Sequence, residues 1–102
     1  MHELLDRHPD LTAVFAGGDL IAMGALKAAR DRGLRVPDDV AVMGFGDFQA
    51  SPYLTPPLTT IHWPLAETGT AAVELLLAVI LDGKAEPRRR LLPMPLVVRA
   101  SA

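Results

Sequence analysis

The sequence predicts an α/β fold built on a parallel sheet, and three observations carry that expectation. Two apolar runs rich in strand formers, residues 12–16 and 40–43, close on the turns Gly17-Gly18-Asp19 and Gly44-Phe45-Gly46-Asp47. A proline-free stretch with helical spacing, residues 20–32, lies between them. Strand, helix and strand joined this tightly form a βαβ unit, so the strands are parallel and the crossover right-handed.

Taken in order, residues 3–7 are helix-forming and stop at His8-Pro9, as the tail of a helix that a longer parent would begin. Residues 12–16 form the first strand. Asp19 then suits an N-cap, since a carboxylate accepts from the free N–H groups of a first helical turn and complements the helix dipole. Within 20–32, Ile21, Gly24, Ala25 and Ala28 share a small, apolar stripe that would lie on the sheet, leaving Lys27, Arg30 and Asp31 to water. Gly33 supplies a left-handed stop, and Pro37 prevents a restart. Residues 40–43 read as a continuous apolar strand covered on both faces. Residues 48–57 hold three prolines and no period, so they form a loop with room for one helical turn. There Tyr53 and Leu54 either face a partner or cover the local core. Residues 58–62 alternate apolar and polar as a strand does, and Pro64 opens a second long helix. In that helix Leu65, Gly69, Ala72, Val73, Leu76, Leu77 and Ile80 form one apolar face, while Leu75 and Val79 add apolar surface on another side. An Asp82-Gly83 stop, a polar stretch over 84–87, Arg88-Arg89-Arg90 and strand-like segments at 91–92 and 96–98 complete the chain.

Composition narrows the classes of function. The 102 residues are 50% apolar but only 5% aromatic, and the formal net charge of -2 offers no general attraction to nucleic acid or an acidic membrane. The absence of cysteine removes any disulfide frame or thiolate chemistry. With a start that lacks an export signal, this reads as a cytoplasmic protein. The longest apolar run, 75–81, is too short to span a bilayer. There is no nucleophile elbow, phosphate loop, complete dinucleotide fingerprint or metal-spaced histidine pair, so neither a cofactor nor a metal is called for. His62 beside Trp63 offers either acid–base work or a structural hydrogen bond, and the arginine run either a phosphate site or a solvated flank. In open α/β sheets the crevice beyond the carboxyl ends of the strands is where ligands bind. Gly17, Gly18, Asp19, Gly46 and Asp47 are therefore candidate ligand-facing residues, Asp19 keeping a second reading as a cap alone and Asp47 as a turn stabiliser alone.

The ordered motifs Ala13-Val14-Phe15-Ala16-Gly17-Gly18-Asp19, Gly33-Leu34-Arg35-Val36-Pro37-Asp38-Asp39-Val40, Met43-Gly44-Phe45 and Pro56-Pro57-Leu58-Thr59-Thr60-Ile61, with a closing segment at 92–99, resemble a known family. It is the lactose-repressor (LacI/GalR) family, in its effector-binding domain, with the flavour of purine and gluconate repressors. The resemblance covers nearly all of the chain. It implies a periplasmic-binding-protein-like (type I) fold present only in part, lacking the first part of both lobes. Residues 1–62 would belong to the C-terminal lobe, 63–92 to the N-terminal lobe, and 93–102 would return to the C-terminal lobe.

The same resemblance implies a bacterial transcription regulator that makes and breaks no bond. Operator DNA would be contacted only through a helix-turn-helix domain upstream of this chain. A small-molecule effector, whether sugar, sugar acid or purine, would meet Gly18, Asp19, Phe45, Gly46, Asp47 and Trp63. The chain departs from the family pattern in having Gly18-Asp19 where Asn-Asp is common, and Gly46 where an effector-holding Asp is common. Either Asp47 takes over from one position along, or the effector is itself acidic and prefers backbone N–H donors. Trp63 would stack on a sugar ring or pack at the hinge. Homodimer contacts would fall to Met23, Leu26, Tyr53 and Leu54. The surface around 75–81, hidden in the family by strands absent here, would drive self-association or exchange of elements between chains. Effector binding would close the two lobes and shift the population of dimer states, and operator affinity would follow. Two other classes compete: a transport-type solute-binding protein of the same fold, and a flavodoxin-like enzyme or phosphoacceptor using Asp19 and Asp47.

Overall fold

The computed structural model describes residues 1–82 and 89–102. It contains α1 (His2–Arg7), β1 (Ala13–Phe15), α2 (Asp19–Asp31), β2 (Ala41–Gly46), a 3-10 turn at Ser51–Tyr53, β3 (Thr59–His62), α3 (Leu65–Asp82) and β4 (Leu96–Val97). Two compact units result: Met1–Trp63 with Pro95–Ala102, and Pro64–Met94.

The first unit holds one four-stranded sheet in the order β1-β2-β3-β4. β1 runs parallel to β2, with Ala13 opposite Ala41 and Phe15 opposite Met43, and β2 runs parallel to β3 from Met43 opposite Thr59 to Gly46 opposite His62. β4 returns antiparallel, placing Val97 opposite Thr60. The expected βαβ unit is present. Since the three parallel strands share a direction, their carboxyl ends at Phe15, Gly46 and His62 share one edge of the sheet.

α2 ends where Gly33 takes the left-handed φ of 69°. Its small side chains let it lie close over β2, and Ala22, Ala25 and Leu26 join Ala16, Val42 and Leu58 in the core, with Met1, Val36 and Leu54 packed against them. The buried stripe is rotated from the expected one. Ala25 and Ala28 are buried, but Ile21 is 65% exposed and lines, with Gly24, Phe15 and Leu4, an open groove beside β1. β1 is the edge strand, so the helix centres on β2 and leaves that side uncovered.

β2 is also longer than its apolar run, because Gly44-Phe45-Gly46 continues the strand and the turn begins only at Asp47. It is not covered on both faces. Val42 and Gly44 are buried, while Ala41, Met43 and Phe45 between them stay partly open. Ser101 bridges β2 and β3. The fully buried Ser101 donates its hydroxyl to the Val42 carbonyl at 2.6 Å and accepts the Thr59 N–H at 2.8 Å, and its own carbonyl accepts the Val42 N–H at 2.7 Å.

In the second unit α3 forms as its period predicts, and the Thr68 hydroxyl donates to the Pro64 carbonyl in its first turn at 2.7 Å. Its apolar face is open: Leu65, Val73, Leu76, Leu77 and Ile80 are 49% to 64% exposed. Leu75 and Val79, on the other side, are the partly covered ones. Among the described residues of the unit, the segment from residue 89 onward meets the helix through the Arg90–Glu74 ion pair and through Leu92 near Ala71. Residues 91–92 are not a strand, and no described strand of their unit pairs with them. The Gly83 stop, the polar stretch over 84–87 and Arg88 lie outside the described residues.

Candidate functional site

The carboxyl edge gathers the Gly17-Gly18 turn, the Gly46-Asp47 turn and the His62-Trp63 end of β3. Asp19 is the first residue of α2, and the N-cap is Gly18 in extended conformation with no side-chain cap bond. The capping role expected of Asp19 is therefore corrected: its carboxylate crosses to other elements. Oδ1 accepts the Thr60 hydroxyl at 2.6 Å, and Oδ2 accepts the Ser51 hydroxyl at 2.6 Å and the Phe48 N–H at 2.8 Å. These donors, with the positive end of α2, hold a buried carboxylate that pairs with no cation among the described residues. The acid expected to face a ligand is turned inward, where it ties α2 to β3 and to the loop after β2.

Gly44 makes room for that tie. A Cβ there would stand 2.3 Å from Asp19 Oδ1 and 2.9 Å from Leu58 Cδ2, so any side chain displaces one or the other.

Asp47 follows Gly46, whose φ is 125°, and itself takes φ 55°, a conformation that Asp tolerates better than most residues. The turn brings its carboxylate onto the end of β3. Oδ1 accepts from Arg99 Nη2 at 2.7 Å, and Oδ2 accepts from His62 Nδ1 at 3.1 Å. Arg99 also donates from Nη1 to the Leu58 carbonyl at 2.8 Å. Burial pushes the Asp47 carboxyl up, but the hydrogen bonds and charges of Arg99 and His62 outweigh it and hold the group below the ordinary carboxylate range. Thr60 joins the two acids, accepting the Asp47 N–H at 3.4 Å while donating to Asp19.

Beside this cluster the rings of Phe45 and Trp63 meet at 6.0 Å between centroids, tilted by 52°. Of the six residues expected to meet a ligand, all lie at the carboxyl edge, yet the two carboxylates are committed to protein donors. What the edge presents outward is the Trp63 indole, the half-open Phe45, the backbone at Gly17 and Gly18, and the imidazole of His62, whose side chain is 46% exposed. These are stacking and hydrogen-bonding groups suited to holding a small polar ring.

The expected dimer residues divide. Tyr53 is 86% exposed and Met23 is also exposed, but Leu26 is 5% exposed and belongs to the core, which corrects its place among surface residues. Leu54 is half-buried and packs on that core. The reading of single residues missed Ser51, Thr60, Arg99 and Ser101. Their partners lie 32, 41, 52 and 59 positions away in Asp19, Asp19, Asp47 and Val42, so no local pattern announces them.

A mostly parallel, open α/β sheet whose turns gather at the carboxyl ends of its strands is the architecture of the periplasmic-binding-protein-like class. The chain belongs to the periplasmic binding protein-like domain family, whose family model matches residues 1–102. It is 46% identical over 88 residues to the HTH-type transcriptional repressor PurR of Escherichia coli O1:K1 / APEC, covering 86% of this chain and 26% of that one. Among solved structures it resembles a transcriptional regulator CelR–cellobiose complex, with a TM-score of 0.91, 42% identity, and coverage of 98% of this chain and 31% of the other. It likewise resembles the Lac repressor dimer bound to operator and the anti-inducer ONPF, with a TM-score of 0.87 and 35% identity, covering 98% of this chain and 35% of the other. The chain thus spans about a third or less of these relatives. They are transcription regulators of the kind its motifs resemble, and they do not favour the transport-type reading.

Proposed function

We propose that this chain is the C-terminal part of the effector-binding domain of a LacI/GalR-type transcription regulator, and that its carboxyl edge forms one wall of the effector site. The observation that carries the reading is the match of the family over the whole chain, with the Phe45–Trp63 pair and His62 open at the edge where this class of fold binds ligands. The effector is a sugar, sugar acid or purine, and the wall works by stacking and hydrogen bonding without catalysis. Residues 1–62 and 93–102 then belong to the C-terminal lobe and 63–92 to the N-terminal lobe. Met23, Tyr53 and Leu54 supply dimer contacts, and operator DNA is bound by a domain outside this chain.

A regulator of this kind acts in the cytoplasm, where its operator is, and no described helix is long and apolar enough to cross a membrane. In the parent, effector binding shifts the population of dimer states, and operator affinity follows.

Trp63 is the only tryptophan, so its fluorescence reports on this edge alone. Titration with cellobiose, gluconate and hypoxanthine should give a saturable change with one of them at millimolar concentration, since a single wall binds weakly. Silence toward all three, with the fold intact by circular dichroism, would remove the reading.

A further inference from the structure

Resting on that reading, we infer that His62 is a ligand-contacting residue, held by Asp47 and Arg99 in the ring form that carries its proton on Nδ1 and offers a bare Nε2 as an acceptor to a hydroxyl or N–H of the effector. Asp47 is ionised and accepts only, so the Nδ1 atom 3.1 Å from its Oδ2 must be the donor. In a neutral imidazole that leaves Nε2 with a lone pair. No described residue bonds Nε2, and the side chain is 46% exposed.

The carboxylate that sets the tautomer is itself immobilised. Arg99 grips Asp47 Oδ1 at 2.7 Å and is anchored to the Leu58 carbonyl at 2.8 Å, and both partners are more than four-fifths buried. Arg99 and Asp47 are thus positioning residues, and the ring they orient stands at the strand end shared with Trp63.

The chemistry assigns a ligand class. Both acids of the edge accept protein donors, so the acceptor a ligand meets here is an uncharged nitrogen and the preferred partner is a neutral donor, such as a sugar hydroxyl or a purine N–H. Protonating His62 would turn Nε2 into a donor and favour an anionic ligand instead. The charged groups bonded into this cluster are Asp47 from the turn after β2 and Arg99 from the segment after β4, with Asp19 of α2 joined to it through Thr60.

Two-bond proton–nitrogen correlation spectra of the imidazoles in the 102-residue chain test this. With the imidazole neutral, His62 should show a protonated Nδ1 and a bare Nε2, and Asp47→Ala should return the ring toward the Nε2–H form usual for free histidine. Added cellobiose or hypoxanthine should move the Nε2 signal, gluconate less so, and His62→Ala should weaken the responding probe by about tenfold, the worth of one hydrogen bond, with partial rescue by His62→Gln. A wild-type ring protonated on Nε2 overturns the inference, and that measurement decides even if the Asp47 variant fails to fold. So does a probe that shifts the Phe45 and Trp63 rings while leaving Nε2 unmoved. Failure of the effector reading looks different: Phe45 and Trp63 then stay silent toward every probe.

Discussion

Asp19 Oδ1 lies 2.6 Å from the Thr60 hydroxyl, joining the first residue of α2 to β3 across 41 positions of sequence. The same carboxylate collects the loop after β2 through Ser51 and Phe48. One buried acid therefore sets where three segments of the carboxyl edge meet.

Replacing Asp19 by Asn exchanges one accepting oxygen for a donor that must face a hydroxyl or an N–H. The loss is expected to be about 2–3 kcal/mol, the cost of leaving buried donors without acceptors. Gly44→Ala should cost a similar amount, because its methyl group enters the space of Asp19 Oδ1 and Leu58 Cδ2. Urea unfolding measures both, and midpoints within about 0.5 kcal/mol of wild type at unchanged slope would contradict the role given to Asp19.

The Asp47 carboxyl is held below its ordinary range in the folded state, so the unfolded chain takes up its proton first as pH falls. Its stabilising contribution is full above the unfolded value, near about 3.9, and is lost as pH drops through the folded value. Arg99→Met removes the nearer partner, and the acid-unfolding midpoint should move to higher pH. Circular dichroism across an acid titration reads the shift; coincident curves for the two proteins would mean that the pair contributes nothing.

Ser101 serves three backbone groups of β2 and β3 from the end of the chain. Ser101→Ala keeps the carbonyl contact but strands the Val42 carbonyl and the Thr59 N–H, at a cost of about 2 kcal/mol. Hydrogen exchange at the Thr59 amide should quicken most. Protection there equal to wild type would show that the hydroxyl is dispensable.

The open face of α3 should make the chain associate with itself. Leu76, Ile80 and Leu81 are all more than half exposed on one helix, and clustered apolar surface of this kind favours association. Sedimentation velocity should show concentration-dependent association that the double substitution Leu76→Glu and Ile80→Glu abolishes. A wild-type chain that stays monomeric at high concentration would dispose of this expectation.

The parts legible in the sequence are those with a local physical signal. Period and composition mark α2 and α3, and glycine at position 33 marks the end of α2. The apolar runs mark β1 and β2, and the short connection between them makes those strands parallel, which already brings both Gly-Asp turns to one edge. Motif order identifies the family, because glycines, prolines and acids at particular spacings answer to particular turns. Tertiary structure alone decided what the two acids do. A carboxylate at a strand end reads the same whether it waits for a ligand or for a hydroxyl supplied from 41 residues away, since nothing within a turn of Asp19 or Asp47 reveals Thr60 or Arg99. It also decided which side of α2 is buried, because the stripe containing Ile21 is apolar enough for a sheet and only the edge position of β1 leaves it without one. Patterning along a chain reports what each segment needs, and the long-range contacts that meet or withhold it exist only once the chain has closed on itself.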